Sequence, residues 1–323
     1  MAAPLASQSS ISITDLAQLT PPHPFTSRYE GRTNLMKIIY LDCISGISGD
    51  MTLGALVDAG ADSNYIETEL AKLSVSPFSL SWNRVNKKGI SSIKADVQVD
   101  PDSPPAHHTH YSDIIQMIRD ASLPERVTAR SLAIFERIAI AEGKIHGLPL
   151  EKVHFHEVGA VDSIVDTVGV ALALESLQID SIWCSPIPLG YGTVVCAHGI
   201  YPIPAPATLE ILKGIPLASL PIQKELTTPT GAGIVSALVD EFHVSLPSMT
   251  VTSIGYGAGT RDLSERPNVL RVIVGIWEPS FAATPHSHQH SHENHNHHEH
   301  SHSHSHSESH SHPQDHHHDS EFK

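Results

Sequence analysis

The segments Lys37-Ile-Ile-Tyr-Leu-Asp42, Cys43-Ile-Ser-Gly-Ile-Ser-Gly-Asp50 and Met51-Thr-Leu-Gly-Ala-Leu-Val-Asp-Ala-Gly60 decide the fold class of this 323-residue chain. The first segment is a short apolar run, which is typical of a buried β-strand. The last has apolar residues at helical spacing and ends in a glycine, a common helix terminator. The sequence therefore predicts a strand, a glycine turn and a helix in succession.

The glycine turn is a candidate anion site, because backbone N–H groups converge at the N-terminus of a helix. Gly46, Ser48 and Gly49 are predicted to bind a cofactor phosphate in this way, although the turn lacks the Gly-Lys-Ser/Thr of a Walker motif. Asp42, at the end of the strand, and Asp50, at the start of the helix, are candidate catalytic carboxylates. A tight turn in which Asp50 only caps the helix is an equally good interpretation.

Strand and helix signals continue to about residue 277. A hairpin turns at Lys88-Gly89, and residues 100–106 have the composition of a linker. These signals predict an α/β or α+β fold in which helices pack on a mixed sheet, with no topology assigned. The remaining predictions are helices near 62–73, 111–120, 124–146, 160–178, 206–213 and 231–241, and strands near 249–255 and 268–277.

A second candidate site follows the long helix at 124–146. In an extended segment, His154 and His156 share one face, and Asp162 and Asp166 share one face of the next helix. Imidazole and carboxylate together suit nickel or zinc. His154, His156, Glu157 and Asp162 are therefore predicted metal ligands, and His156 and Glu157 are also candidates for acid–base work. Alternatively, Asp162 caps the helix and the histidines bond to the backbone.

Three further segments carry weaker signals. His107, His108 and His110 lie beside the linker and are either metal ligands or part of a solvated loop. Thr230 and Gly231 precede a helix and resemble another phosphate-binding turn. The glycines at 255–259 are predicted to form a simple turn, and residues 198–206 a rigid loop over a site.

The two ends of the chain differ from its middle. Residues 1–35 are predicted to be a disordered extension, or a mis-assigned start if translation begins at Met36. Of the 25 histidines, 16 lie between His286 and His318, mostly alternating with serine. Such a tract cannot bury a core, but neutral imidazoles bind nickel, copper and zinc. Residues 285–323 are therefore predicted to be a disordered metal-binding tail, and residues 36–284 the globular core.

Composition excludes several classes of protein. The formal net charge is −15, and residues 36–284 carry 17 Lys and Arg against 27 Asp and Glu, so a nucleic-acid partner is not expected. The three cysteines form no CxxC pair, which argues against disulfide frameworks and thiolate zinc sites. No apolar run is long enough to cross a membrane, and no secretory signal is recognisable. We expect a cytoplasmic protein.

Five segments, in order along residues 36–277, resemble the LarC family of pyridinium-3,5-bisthiocarboxylic acid mononucleotide nickel-insertion proteins. They are Asp42-Cys-Ile-Ser-Gly-Ile-Ser-Gly-Asp-Met51, His154-Phe-His-Glu-Val-Gly-Ala-Val-Asp-Ser163, His198-Gly-Ile-Tyr-Pro-Ile-Pro-Ala-Pro-Ala-Thr208, Glu225-Leu-Thr-Thr-Pro-Thr-Gly231 and Gly255-Tyr-Gly-Ala-Gly259.

The resemblance implies an enzyme, a lyase or chelatase-type cyclometallase, that inserts Ni(II) into the dithiocarboxylate nucleotide. One nickel–carbon and two nickel–sulfur bonds form, CTP is consumed with Mn(II) or Mg(II), and the product serves lactate-racemase-type enzymes. Family members continue into a C-terminal domain that is thought to hold the nucleotide and its metal. Nothing here resembles that domain's Asn-Ile-Asp-Asp-Met segment, so a separate domain or partner chain is expected to bind CTP, and an oligomer is possible.

Two other functions fit the residues. A nickel store or metallochaperone would depend on the tail alone. A nucleotide-dependent enzyme of another kind would use the glycine turns, with the tail incidental. Nickel binding that the tail fully accounts for would favour the first, and nucleotide binding by the core without metal would favour the second.

Overall fold

The computed structural model describes residues 35–100, 102, 109–155, 158–196 and 198–278. The helices in these ranges are α1 Gly49–Asp58, α2 Ser63–Leu70, α3 Tyr111–Asp120, α4 Glu125–His146, α5 Val161–Ser176, α6 Pro206–Ile211 and α7 Pro229–Leu238. The strands are β1 Met36–Asp42, β2 Phe78–Lys87, β3 Ile90–Val99, β4 Thr109–His110, β5 His154–Phe155, β6 Ser181–Cys184, β7 Ile187–Pro188, β8 Gly192–Cys196, β9 Gly199–Ile203, β10 Leu217–Ala218, β11 Glu241–Phe242, β12 Thr250–Ala258 and β13 Val269–Trp277. No helix in the described ranges is long and apolar enough to cross a membrane.

The central sheet has seven strands in the order β11-β6-β1-β13-β12-β3-β2. Strand β1 runs parallel to β6 and antiparallel to β13, so the sheet is mixed. The predicted fold class, a mixed sheet with packed helices, is confirmed. The strand order could not be predicted, because it depends on pairing between distant segments.

Alternate residues of β1 enter two different apolar clusters, as the period of a strand requires. Ile39 and Leu41 join the main core, which also contains the buried faces of α1, α4, α5 and α7. Ile38 and Tyr40 face the other way and pack in a smaller cluster with Trp183. The helices therefore cover one face of the sheet, and their N-termini can meet at one edge.

Helix α1 lies directly on the backbone of β12. A Cβ atom on Gly255 would stand 2.1 Å from the carbonyl oxygen of Ala55, and one on Gly257 would stand 1.8 Å from that of Met51. The predicted turn at 255–259 is therefore wrong for residues 255–258, which belong to β12. These glycines allow close packing of a helix on a strand.

Other local predictions need correction. Residues 199–203 form β9 of a hairpin with β8, and α6 starts at Pro206, so this segment is not a loop. Helix α7 begins at Pro229, two residues before its predicted start. Residues 1–34 and the tail, and most of the linker at 100–106, lie outside the described residues.

Candidate functional site

The first glycine turn connects β1 to α1. Ser48 is the N-cap of α1, and its Oγ accepts a hydrogen bond from the N–H of Met51 at 3.4 Å. The interpretation of Asp50 as the cap is wrong, because Asp50 lies in the first turn and accepts a hydrogen bond from the hydroxyl of Ser48. Gly46 has φ +101°, and a Cβ there would stand 1.9 Å from the carbonyl oxygen of Leu226. The turn thus needs glycine to approach the segment that leads into α7.

The second predicted turn lies directly beside the first. The N–H of Thr228 donates to the carbonyl oxygen of Ile47 at 3.1 Å. The side chain of Thr228 caps α7 by accepting from the N–H of Gly231 at 3.2 Å. A Cβ on Gly231 would stand 2.2 Å from the Ile47 oxygen. The structure therefore brings together the five residues predicted to hold a phosphate, namely Gly46, Ser48, Gly49, Thr230 and Gly231.

Helix α5 contributes a third N-terminus at the same place. A Cβ on Gly49 would stand 2.6 Å from the Cβ of Asp166, so α1 and α5 are in close contact here. Asp162 and Asp166 lie one turn apart on α5 and both line the cleft between the helices. Each helix N-terminus carries a partial positive charge. Three of them meet in one cleft, where their backbone N–H groups can donate to an anionic group of a ligand.

The cleft has a volume of about 380 Å³. Among the described residues, its polar lining consists of carboxylates, hydroxyl groups and one basic side chain, Lys94. The carboxylates belong to Asp50, Asp96, Asp162, Asp166 and Glu225, and the hydroxyls to Ser48, Ser163, Thr228, Thr230 and Thr260. Such a set offers hard oxygen ligands and hydrogen bonds, so it can hold a ligand that carries both positive and negative charge.

Lys94 reaches the cleft from β3 and is paired with two of its carboxylates. Its Nζ is 2.8 Å from Asp50 Oδ2 and 3.2 Å from Asp96 Oδ1. Burial alone would lower the pKa of Lys94, but the carboxylates of Asp50 and Asp96 outweigh burial and raise the pKa above its ordinary value. Lys94 therefore stays charged and holds Asp50 in place.

Asp166 is the carboxyl group most strongly perturbed by the cleft. Its Oδ1 is shielded from solvent and has no hydrogen-bond partner. Burial raises the pKa of Asp166 well above its ordinary range, and the carboxylates of Asp50 and Asp162 raise it further. Lys94 and the backbone N–H of Asp50 act in the opposite direction but are weaker. A carboxyl group whose pKa is raised by burial and by specific neighbouring charges is a candidate proton acceptor or donor.

Two predicted metal ligands meet outside this cleft. His110 pairs with His154 across the short ribbon of β4 and β5, and their ring centroids are 3.8 Å apart. Neither lines the cleft. The described ranges contain no group of three His, Cys, Asp or Glu side chains already arranged to hold a metal ion. The predicted ligands His107, His108, His156, Glu157 and His286 to His318 lie outside the described residues.

Asp42, a predicted catalytic residue, also lies apart from the cleft lining. Its carboxylate accepts hydrogen bonds from the guanidinium of Arg271 on the neighbouring strand, with Nε at 2.9 Å. An ion pair between adjacent strands is a common structural arrangement.

A family model described as nickel insertion protein matches residues 39–309 of this sequence. The chain belongs to the nickel insertion protein family.

Curated relatives match most of the chain. The pyridinium-3,5-bisthiocarboxylic acid mononucleotide nickel insertion protein of Geobacillus kaustophilus is 60% identical over 247 residues, which are 74% of this chain and 60% of the relative. The protein of that name in Staphylococcus epidermidis is 53% identical over 239 residues, 74% of this chain and 59% of the relative. The putative nickel insertion protein of Geotalea daltonii is 46% identical, covering 74% and 61%. The chain thus spans about 60% of the length of these relatives, and no solved structure matches it.

Several cleft residues of this nickel insertion family member were not predicted as site residues. Lys94 and Asp96 lie on a hairpin strand whose alternating pattern gives no functional signal. Glu225 and Thr260 lie in segments that only the tertiary structure brings to the cleft. Asp166 had a signal, since it follows Asp162 by one helical turn beside the histidine motif.

Proposed function

We propose that this chain inserts Ni(II) into pyridinium-3,5-bisthiocarboxylic acid mononucleotide, and that the substrate binds in the cleft between α1, α5 and α7. The supporting observation is that three helix N-termini and five carboxylates line one cleft of about 380 Å³. The substrate combines an anionic phosphate with a cationic pyridinium ring, and the cleft has complementary groups for both. Its volume is in the usual range of small-molecule sites, roughly 300–1,000 Å³.

The phosphate binds at the paired N-termini of α1 and α7. The turns of these helices lie side by side, joined by the hydrogen bond between Thr228 and Ile47. The hydroxyl of Thr230 lines the cleft in the first turn of α7 and donates to the phosphate. A helix N-terminus needs no lysine to bind phosphate, which agrees with the absence of lysine from both turns.

The carboxylates hold the two cationic species, the pyridinium ring and the nickel ion. Nickel is a substrate here, and Asp162 together with Asp50 faces the space in which the ring and the ion meet. Imidazole ligands suit nickel well, so His110 and His154 bind the ion on its way to the cleft. We assign the same role to His107, His108, His156 and Glu157, and a storage role to the histidines of the tail.

The reaction needs a base. When nickel bonds to the ring carbon, the carbon–hydrogen bond breaks, its electron pair forms the nickel–carbon bond, and the proton must leave. The two thiocarboxylates supply the nickel–sulfur bonds, so no oxidation occurs. Asp166 takes the proton, because it lines the cleft and its Oδ1 has no other partner. Asp42 is less suitable, because it is paired with Arg271 outside the cleft lining.

The central test is product formation. The full chain is incubated with Ni(II), the mononucleotide and CTP with Mn(II), with and without the C-terminal region of a relative, and the nickel-bound nucleotide is measured by mass spectrometry. Nickel bound without any product under both conditions would favour the storage function.

Thr230→Val tests the position of the phosphate. Losing one hydrogen bond of about 1.4 kcal/mol should raise the KM for the mononucleotide about tenfold, with a smaller change in kcat. Thr68→Val, at an exposed position of α2, is the matched control and should change neither constant. Equal KM values for the two variants would mean that the phosphate binds elsewhere.

CTP and its divalent ion do not fit the described part of this chain. A nucleoside triphosphate brings about four negative charges, which divalent ions and basic groups normally neutralise. Lys94, the basic side chain in the cleft lining, is already paired with Asp50 and Asp96. Calorimetric titration of CTP and Mn(II) into the full chain should therefore show no micromolar binding of CTP. Micromolar binding with CTP cleavage by this chain alone would contradict the expectation.

CTP is accordingly consumed at a separate C-terminal domain or partner chain, and the nickel-bound product passes to a lactate-racemase-type enzyme. The reaction takes place in the cytoplasm.

A further inference from the structure

A second, smaller cavity lies beside the cleft, where the end of α4 meets the β8–β9 hairpin and the start of α6. Its volume is about 50 Å³. Val158 and Pro229 line both this cavity and the cleft, so the two spaces share part of their walls. A ligand in the second cavity is therefore close to the proposed substrate.

The chemistry of this cavity differs from that of the cleft. Its lining contains the imidazoles of His146 and His198 and the thiol of Cys196. The two imidazole centroids are 4.8 Å apart. Nitrogen and sulfur ligands favour nickel, zinc and copper over magnesium and calcium. Two imidazoles can bind one such ion, each at about 2.0–2.1 Å, without moving far from this spacing.

Neighbouring groups hold both imidazoles in position. His146 Nε2 is 3.2 Å from Glu142 Oε2, one turn earlier on α4. A carboxylate bonded to one nitrogen of a histidine orients the ring and makes the other nitrogen a better metal ligand. The ring of His198 stacks on Tyr201, with centroids 6.2 Å apart and planes 18° from parallel.

We propose that His146, His198 and Cys196 bind one transition-metal ion, and that the ion is Ni(II) held before it enters the cleft. The identity of the ion rests on the proposed function. No three metal-binding side chains of the described residues are assembled in advance, so the Cys196 side chain must rotate toward the imidazoles. Its Sγ now donates to the carbonyl oxygen of Gly199 at 3.4 Å. Binding breaks that bond and releases the thiol proton to solvent, with no transfer of electrons.

Three protein ligands leave a coordination position open, as in sites that exchange a ligand with a substrate. A thiocarboxylate sulfur of the mononucleotide can take that position. The ion can then leave the cavity for the substrate by exchange of one sulfur ligand for another. The described residues that line the cleft provide no sulfur ligand, so in the cleft the substrate supplies the sulfur for nickel.

The test is a titration of the full chain with Ni(II) alone, followed by thiolate-to-nickel charge-transfer absorption in the near ultraviolet. Residues 279–323 contain no cysteine, so nickel on the tail histidines cannot produce this band. Cys43 and Cys184 are buried in the core. We expect a saturable band in the unaltered chain and its loss in Cys196→Ser. The nickel affinity of His198→Ala should be at least roughly tenfold weaker, because even the loss of a group that only orients a ligand typically lowers metal affinity by about 10–100-fold.

His243→Ala is the matched control. His243 also pairs with a glutamate, Glu241 at 3.1 Å, and its ring contacts Trp183, but it does not line the second cavity. The band should be unchanged in this variant. A second readout is the rate at which iodoacetamide alkylates Cys196, which Ni(II) should slow in the unaltered chain and not in His198→Ala.

Absence of the band at saturating nickel, or its persistence in Cys196→Ser, would overturn the proposal. The proposal would also be overturned if His243→Ala and His198→Ala weakened the nickel affinity equally. Circular dichroism of each variant separates these results from unfolding. Because no mononucleotide is present, failure of the insertion reaction leaves this test unaffected, and absence of the band leaves the proposed insertion reaction standing.

Discussion

Replacing Asp166 by Asn should make the protein more stable at neutral pH and nearly unable to insert nickel. The side chain keeps its size, but a carboxylate that burial and two neighbouring carboxylates disfavour is removed. The proposed base is lost at the same time. Loss of a general base lowers rates by about 10²–10⁴-fold.

The pH dependence of the stability gain follows from the raised pKa of Asp166. The folded protein binds this proton more tightly than the unfolded chain, whose carboxyl has the ordinary pKa of about 3.9. Asp166 therefore does not lower the free energy of unfolding below about pH 4. The protein loses stability as pH rises through the pKa that Asp166 has in the folded state. The variant lacks this loss, so its advantage should be small at pH 4 and largest above neutrality.

Thermal unfolding at several pH values measures this effect. Each kcal/mol of stabilisation corresponds to a Tm rise of about 2–4 °C for a domain of 150–250 residues. Asp113→Asn is the control, since Asp113 is an exposed carboxylate in the first turn of α3, outside the cleft. It should change neither Tm nor insertion by much.

Insertion by the unaltered chain should also increase with pH as Asp166 loses its proton. Binding of the cationic ring and Ni(II) favours the charged carboxylate, so the base becomes available when the substrate arrives. An Asp166→Asn variant that inserts nickel at the normal rate would exclude Asp166 as the base. A variant with a lower Tm at pH 8 would mean that the carboxylate has a stabilising partner.

Gly257→Ala should destabilise the fold by about 3 kcal/mol or more, at or above the usual cost of overpacking a core. The added Cβ would stand 1.8 Å from the Met51 carbonyl oxygen and 2.6 Å from the Ala55 nitrogen. Both atoms belong to the backbone of α1, which no side-chain rotation can move. The helix must shift away from β12, and Ser48 and Asp50 at its N-terminus shift with it, so insertion should fall as well.

Urea unfolding measures the change. Gly147→Asn is the control, because Gly147 has φ 64° and ψ 33° at the end of α4 and nothing lies within 4 Å of a Cβ there. Asparagine is the non-glycine residue that best tolerates this conformation. We expect a cost of about 1 kcal/mol or less for the control. A similar small cost for Gly257→Ala would show that α1 and β12 are not in close contact.

The sequence by itself determined the elements whose signals are local. The apolar run before Asp42, the glycine turn after it and the hairpin at Lys88-Gly89 appear where they were predicted. The same holds for the long helix predicted near 124–146, which is α4. Each depends on residues a few positions apart, so periodicity and turn chemistry are sufficient to locate it.

The two phosphate-type turns were predicted separately. The first leads into α1 as predicted, whereas Thr230 and Gly231 lie in the first turn of α7 and not before it. The junction of the two turns through Ile47 and Thr228 was not predictable, because it depends on backbone contacts between segments far apart in the chain. The sequence pattern at 255–258 was misleading for a related reason. Glycines that permit close packing and glycines that permit a turn look alike until the packed helix is known.

The composition of the candidate site was decided by the tertiary structure. Lys94 and Asp50 are 44 residues apart in sequence, and nothing in the β3 pattern marks Lys94 as a partner of the glycine turn. His146 and Cys196 likewise reach one cavity from different elements. Local patterns determine which face of an element is apolar. Which polar side chains share a cleft depends on strand order and helix packing, which the core fixes through contacts between distant segments.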